Sequence, residues 1–151
     1  MPEIIVSDTS CIILPDKIGR INLLQSIFGI ITITQTIADE FGKDIPDFFE
    51  IQNPKSKKYQ KILESFLDPG ESSAIALALE NDECLLIIDE LKGRREAKLL
   101  GINFTGTVGI LIVAKEKGLI GSIANIFNEI EETDFRISEA VIKEAKLKCG
   151  E

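Results

Sequence analysis

The sequence has no histidine. That excludes a Ser-His-Asp triad, a Cys-His pair, a His-ligated zinc and any imidazole acid–base step, leaving carboxylates, lysines and hydroxyls to carry the chemistry. Cysteine is scarce too. Cys11, Cys84 and Cys149 are an odd number, far apart and without CxxC spacing, so neither a zinc site nor a disulfide framework is expected and a reducing compartment suits them. No apolar run approaches the roughly 18 residues that would span a bilayer, and Ile4-Ile5-Val6 opens the chain without a basic, cleavable leader. The expectation is a soluble, cytoplasmic protein with no membrane association. Repeats, linkers and low-complexity tracts are also missing, and 151 residues that are 44% hydrophobic suit a single packed core, hence one domain over residues 1–151.

What is plentiful is acid: 25 Asp and Glu stand against 17 Lys and Arg, for a net charge of -8. Such a chain repels nucleic acid at long range, so any contact with it has to be local.

The apolar run Ile4-Ile5-Val6 predicts a strand ending at Ser7-Asp8, then a loop, then a helix from Lys17 to Phe28 with Ile18, Ile21, Leu24 and Phe28 at helical spacing. Gly29 stops that helix, Ile30-Ile31-Thr32-Ile33 predicts a second strand, and Thr34 caps a helix reaching about Phe41. Residues 42–56, with Pro46 and Pro54, show no period and read as a loop, whereas Tyr59, Ile62, Leu63, Phe66 and Leu67 fall on one face of a short helix. Asp68 as N-cap, Pro69 at N1 and Glu71 at N3 spell a capping box. Beyond that Ala-rich helix, Cys84 to Ile88 predicts a strand ended by Asp89, followed by a helix to Leu100 and a strand near residues 102–104. Helices starting near Thr107, Ser122 and Ser138 complete the pattern, with Phe135-Arg136-Ile137 as an edge strand. Short, unpatterned apolar strands alternating with helices predict an α/β fold whose central, mainly parallel sheet is covered on both faces.

In an open parallel sheet, ligands bind beyond the carboxyl ends of the strands, and Asp8 and Asp89 fall at two such ends. Each equally suits capping of the helix that follows. Glu40 lies about 60° from Ile37 around its helix, beside the stripe that Ile37 and Phe41 mark, while Asp39 is angled away. Glu71 either completes the capping box or, sharing a face with Ile75 and Ala78, points over the sheet edge. If these four carboxylates converge at about 4 Å, each pair repels by roughly 4 kcal/mol at an effective dielectric near 20, and several pairs rival a domain's stability. Protonation, separation or a divalent cation relieves that strain, and an oxygen-only donor set selects Mg²⁺ or Mn²⁺.

Asp8-Thr9-Ser10, Thr36-Ile37-Ala38-Asp39-Glu40 and Gly70-Glu71-Ser72-Ser73-Ala74-Ile75-Ala76 occur in this order. They are followed by Ile88-Asp89-Glu90-Leu91-Lys92-Gly93-Arg94-Arg95 and by Gly106-Thr107-Val108-Gly109 with Ala114-Lys115 and Gly118. In that composite the chain resembles the PIN-domain family, nearest a prokaryotic subgroup related to the toxin nucleases of toxin–antitoxin pairs. The resemblance implies a three-layer α/β/α sandwich and a metal-dependent endoribonuclease acting on RNA, often restrained by an antitoxin. It also implies that Asp8, Glu40, Glu71 and Asp89 are the catalytic Mg²⁺ or Mn²⁺ ligands, with Ser10 as a supporting hydroxyl. Two departures stand out: Leu86-Ile87-Ile88 is wholly apolar where many relatives place a Thr or Ser, and Glu fills the third acid position, which leaves the roles of Asp89 and Glu90 open. Arg94 and Lys98, one turn apart just after Asp89, are candidate RNA contacts, ahead of the Lys55, Lys57, Lys58 and Lys61 cluster. Leu23, Leu24, Ile27 and Phe28 suit the core, a homodimer or an antitoxin helix.

Three rivals compete. A phosphoacceptor receiver would use Asp8, Asp89, Thr107 and Lys115, although the opening lacks paired acids. A catalytically silent PIN-fold interaction module would not need all four acids. An aspartyl phosphatase would need a second acid where Ser10 stands.

Overall fold

The computed structural model describes residues 2–151. Within them the elements run β1 (Ile4–Ser7), α1 (Ser10–Lys17), α2 (Asn22–Phe28), β2 (Ile31–Ile33), α3 (Gln35–Phe41), β3 (Phe49–Ile51) and α4 (Lys57–Leu63). There follow α5 (Pro69–Leu79), β4 (Cys84–Ile87), α6 (Leu91–Leu99), β5 (Asn103–Thr105), α7 (Thr107–Glu116), α8 (Ile123–Glu131) and α9 (Glu139–Lys148). The five strands form one sheet, ordered β3-β2-β1-β4-β5, and every pairing is parallel. Helices cover both faces of this three-layer α/β/α sandwich. The central strands β1, β2 and β4 bury both their faces, which is why they carry no polar alternation.

Strand order reverses around β1: the chain leaves it for β2 and β3 on one side, then returns to β4 on the other. The carboxyl ends of β1 and β4 therefore diverge at the point where an open parallel sheet leaves a crevice. Backbone bonds carry the register past the strand ends, Asp8 N donating to Ile87 O at 2.9 Å and Ile88 N to Thr105 O at 2.8 Å, so Asp8 and Asp89 start from fixed positions.

α5 is the helix around which one layer is built. It packs on β1, β4, α3, α4 and α6, and every residue from Gly70 to Ala78 is buried. Small side chains at Ser72, Ser73, Ala74, Ala76 and Ala78 let neighbours approach on all sides. In the other layer α7 packs on α2, α8 and α9, over a second apolar cluster that includes Leu111, Ile123, Ile126, Phe127 and Ile130. The Glu151 carboxylate pins the end of α9 to the start of α8, accepting from Ser122 Oγ and from the Ile123 and Ala124 amides.

Several boundaries differ from the pattern expected. The stretch expected as a loop after Asp8 is helix α1, which contains Pro15, and the single helix from Lys17 is broken at Gly19 (φ 70°), so α2 begins only at Asn22. The aperiodic stretch 42–56 contains β3, an edge strand too short to show alternation. Phe135-Arg136-Ile137 pairs with no strand: hydrogen bonds of Thr133 and Arg136 hold it as an irregular segment, and Phe135 and Ile137 pack on the second cluster. Leu24 is buried, and Leu23, Ile27 and Phe28 pack against the two clusters, so these positions belong to the core. The apolar face expected on α4 splits, with Leu63 and Leu67 inward and Ile62 and Phe66 outward. Among the described residues, no helix is long and apolar enough to cross a membrane.

Candidate functional site

Asp8 is 5% exposed at the end of β1. Thr9 N donates to its Oδ1 at 2.6 Å and Ser10 Oγ reaches its Oδ2 at 3.4 Å. Burial, joined by the charges of Asp68 and Glu40, pushes its pKa up to about 7 in spite of those donors. The Thr9 hydroxyl does not cap α1; it donates to Glu40 Oε1 at 2.6 Å and so ties the first acid's loop to α3. α3 is held at its start by Thr34, whose hydroxyl accepts from Ile37 N, and is ended by left-handed Gly42.

Asp68 caps α5, its Oδ1 accepting from Glu71 N at 2.8 Å. The return half of the expected capping box does not form: the Glu71 carboxylate turns inward, is 5% exposed, and its Oε2 has no hydrogen-bond partner, as is true of the neighbouring Ser72 hydroxyl. Burial, the facing Asp68 carboxyl, and the charges of Asp68, Asp8 and Glu90 push the Glu71 pKa up to about 9.

At the end of β4, Asp89 is fully satisfied. Thr107 N donates to its Oδ1 at 2.8 Å and Thr107 Oγ1 to its Oδ2 at 2.5 Å. The hydroxyl missing from Leu86-Ile87-Ile88 is thus supplied from the start of α7. Glu90 caps α6, accepting from Lys92 N. The buried Cys11 thiol is pushed well above its ordinary pKa by burial and by the charges of Asp89 and Asp8.

Three glycines make room for three carboxylates. A Cβ on Gly70 would overlap Glu40 Oε1 and lie 3.1 Å from Thr9 Oγ1; one on Gly93 would overlap Ile88 Cδ1 and lie 3.0 Å from Glu71 Oε2; one on Gly106 would overlap Asp89 Oδ1 and the Arg94 guanidinium. Close approach, not backbone twist, demands glycine here, since none of the three has a positive φ.

Asp8 thus lies near Glu40, Asp68 and Glu71, and Glu71 near Glu90, while Asp89 stands at the end of the adjacent strand β4. Asp68 was legible only as a helix cap, and Thr9 and Thr107 had no carboxylate assigned to them in the sequence; an acid three residues before Glu71 is the one signal that marked Asp68. Arg94 departs from a solvated surface charge: its Nε donates to Ile88 O at 2.9 Å and its guanidinium lies 5.4 Å over the Phe104 ring, behind Asp89, while Lys98 stays exposed. Lys115 donates to Gly121 O and pairs with Glu151, about 12 Å along α7 from Thr107 at 1.5 Å per residue, which removes it from any receiver-type site at Asp89.

Among the described residues, no three side chains already form a closed metal-binding group. The donor chemistry nevertheless fits a hard divalent cation: all donors are oxygens, histidine is absent, and a buried carboxylate oxygen lacks a partner amid like charges.

Residues 4–151 match the profile of a family described as a PIN domain. No curated protein and no solved structure matched. PIN domains are generally nucleases, hydrolases that act on nucleic acid and typically use divalent metals.

Proposed function

The chain belongs to the PIN-domain family, and on that ground we propose that it is an endoribonuclease dependent on Mg²⁺ or Mn²⁺, acting as one domain. The observation that carries this reading is Glu71 Oε2, buried without a partner beside Asp68, Asp8 and Glu90. A buried acceptor left unmade costs roughly 1–3 kcal/mol, and a cation relieves both that cost and the mutual repulsion.

In this reading Asp8, Glu40, Glu71 and Asp89 hold the cation directly or through water, with Asp68 or Glu90 adding charge. The bound ion supplies Lewis-acid stabilisation of the phosphoryl oxygens and lowers the pKa of an attacking water. The protein's own part is positioning. Thr9 fixes Glu40, Thr107 fixes Asp89, Ser10 steadies Asp8, and the three glycines let the carboxylates approach. Arg94, held beside Asp89, offers a fixed positive charge to a phosphate, with Lys98 one turn further out. No side-chain nucleophile is needed, and the buried Cys11 takes no part in the chemistry.

Purified protein challenged with RNA in Mg²⁺, Mn²⁺ and EDTA tests the reading. Cleavage is expected with either metal and none with EDTA, and Asp8→Asn is expected to lower the rate on the order of 10²–10³-fold. Undiminished cleavage by Asp8→Asn, or in EDTA, would sink it. A toxin role and an antitoxin partner belong to the same proposal and rest on the resemblance of the acid motifs, and a cytoplasmic location rests on the three unpaired cysteines.

A further inference from the structure

A cavity of about 370 Å³ opens between α3 and α4, its walls including Gln35, Thr36, Asn53, Lys57, Lys61 and Ser73. It adjoins the acid crevice on two sides. Thr36 stands one turn before Glu40 on α3. In the floor, Ile37 N donates to Thr34 Oγ1, Thr34 donates to Ser73 Oγ, and Ser73 donates to Gly70 O; Gly70 is the residue against which Glu40 rests. Floor and crevice are one hydrogen-bonded piece.

The cavity's charge is opposite to the crevice's. Residues 55–61 carry four lysines in a chain of net charge -8. Lys57 and Lys61 line the cavity one turn apart on α4, exposed, and neither makes an ion pair among the described residues. The one acid in the wall, Glu64, accepts from Gln60 Nε2. No aromatic ring lines the space, so base stacking contributes nothing there and phosphate contacts supply the affinity. Side-chain amides and hydroxyls remain to meet base edges and 2′-hydroxyls.

We propose that the groove between α3 and α4 holds the nucleotides flanking the scissile bond of the RNA, with Lys57 and Lys61 on their phosphates. The inference rests on the endoribonuclease reading and adds a subsite to it: a strand that runs from the lysines over Thr36 toward the acids is gripped by its backbone before it reaches them. It also gives a role to the lysine cluster that the sequence ranked behind Arg94 and Lys98, because Lys57 and Lys61 face open space.

The test is fluorescence anisotropy of a labelled single-stranded RNA 12-mer in Ca²⁺ buffer across 50–200 mM salt, with cleavage in Mg²⁺ followed in parallel. Lys57→Ala/Lys61→Ala is compared with wild type and with Lys143→Ala/Lys148→Ala on α9. Loss of two phosphate contacts is expected to flatten the slope of log affinity against log salt by about 1.4, and to weaken binding roughly tenfold at low salt, with the α9 control unchanged. Equal slopes and affinities in the two double variants would overturn the groove while cleavage left the nuclease reading standing. A wild type that neither binds nor cuts the RNA would overturn both.

Discussion

Two acids at the crevice are held in opposite ways. Asp89 lies at the surface, yet both its oxygens are bonded by Thr107, one through the backbone and one through the hydroxyl. Glu71 lies inside, yet one of its oxygens is bonded to nothing. The first needs no ligand to be stable where it stands; the second is a standing cost that only a proton or a cation removes. The contrast separates a positioned carboxylate from one whose position makes sense only with something bound.

The contrast is broken most sharply by Glu71→Gln. Cleavage is expected to fall on the order of 10²–10³-fold, while the metal-free protein at pH 8 gains about 1–2 kcal/mol, or roughly 3–6 °C in Tm, because the fold no longer has to keep a proton on a buried carboxyl that the unfolded chain gives up. A lower Tm in calorimetry would mean that the Glu71 carboxylate is stabilising as it stands.

Acidity sharpens the same point. Asp8 and Glu71 have pKa values raised from 3.8 to about 7 and from 4.5 to about 9. A raised carboxyl keeps its proton in the folded state where the unfolded chain has lost it, so these two groups subtract stability as pH rises, from about 4 to 7 for Asp8 and on to about 9 for Glu71. Thermal unfolding in EDTA is expected to show Tm declining across that window. Added Mg²⁺ is expected to raise Tm, and to raise it more at pH 8 than at pH 5; equal shifts at both would count against a cation held by these acids.

A smaller effect is expected from Gly70→Ala, which leaves every acid in place but pushes Glu40 from its seat against Thr9. Activity is expected to drop roughly 10–100-fold, the scale of a misplaced supporting shell, and unchanged turnover would show that Glu40 has slack. The smallest belongs to Asp89: Thr107→Val removes one of its two donors and is expected to cost about 1 kcal/mol in urea unfolding, with turnover changed by less than tenfold.

Much of the crevice was legible because strand ends and caps have local chemistry. Thr34 and Gly42 bracket α3, Asp68 and Pro69 open α5, and apolar runs stopped by Asp8 and Asp89 mark where a parallel sheet presents its ligands. What escaped depended on distance along the chain. No local signal says that Thr107 will bond Asp89, eighteen residues earlier, or that the Thr9 hydroxyl will leave its own helix for Glu40. Glu71 misled for a related reason: Asp68-Pro69-Gly70-Glu71 satisfies every local rule for a reciprocal cap, and only the crowding around α5 turns its carboxylate inward. Pro15 hid α1, and three residues were too few for β3 to declare a period. Lys57 and Lys61 ranked low because no local signal says that they line a cavity.

The nine consecutive buried residues of α5 bear on how the molecule opens. A helix covered on every side exposes its amides only when its neighbours leave, so hydrogen exchange from Gly70 to Ala78 is expected to track global unfolding. Glu71 rides inside that segment. A cation captured there would therefore retard exchange along the whole helix and not merely at its own turn, making metal occupancy a brake on the last unit of the fold to come apart.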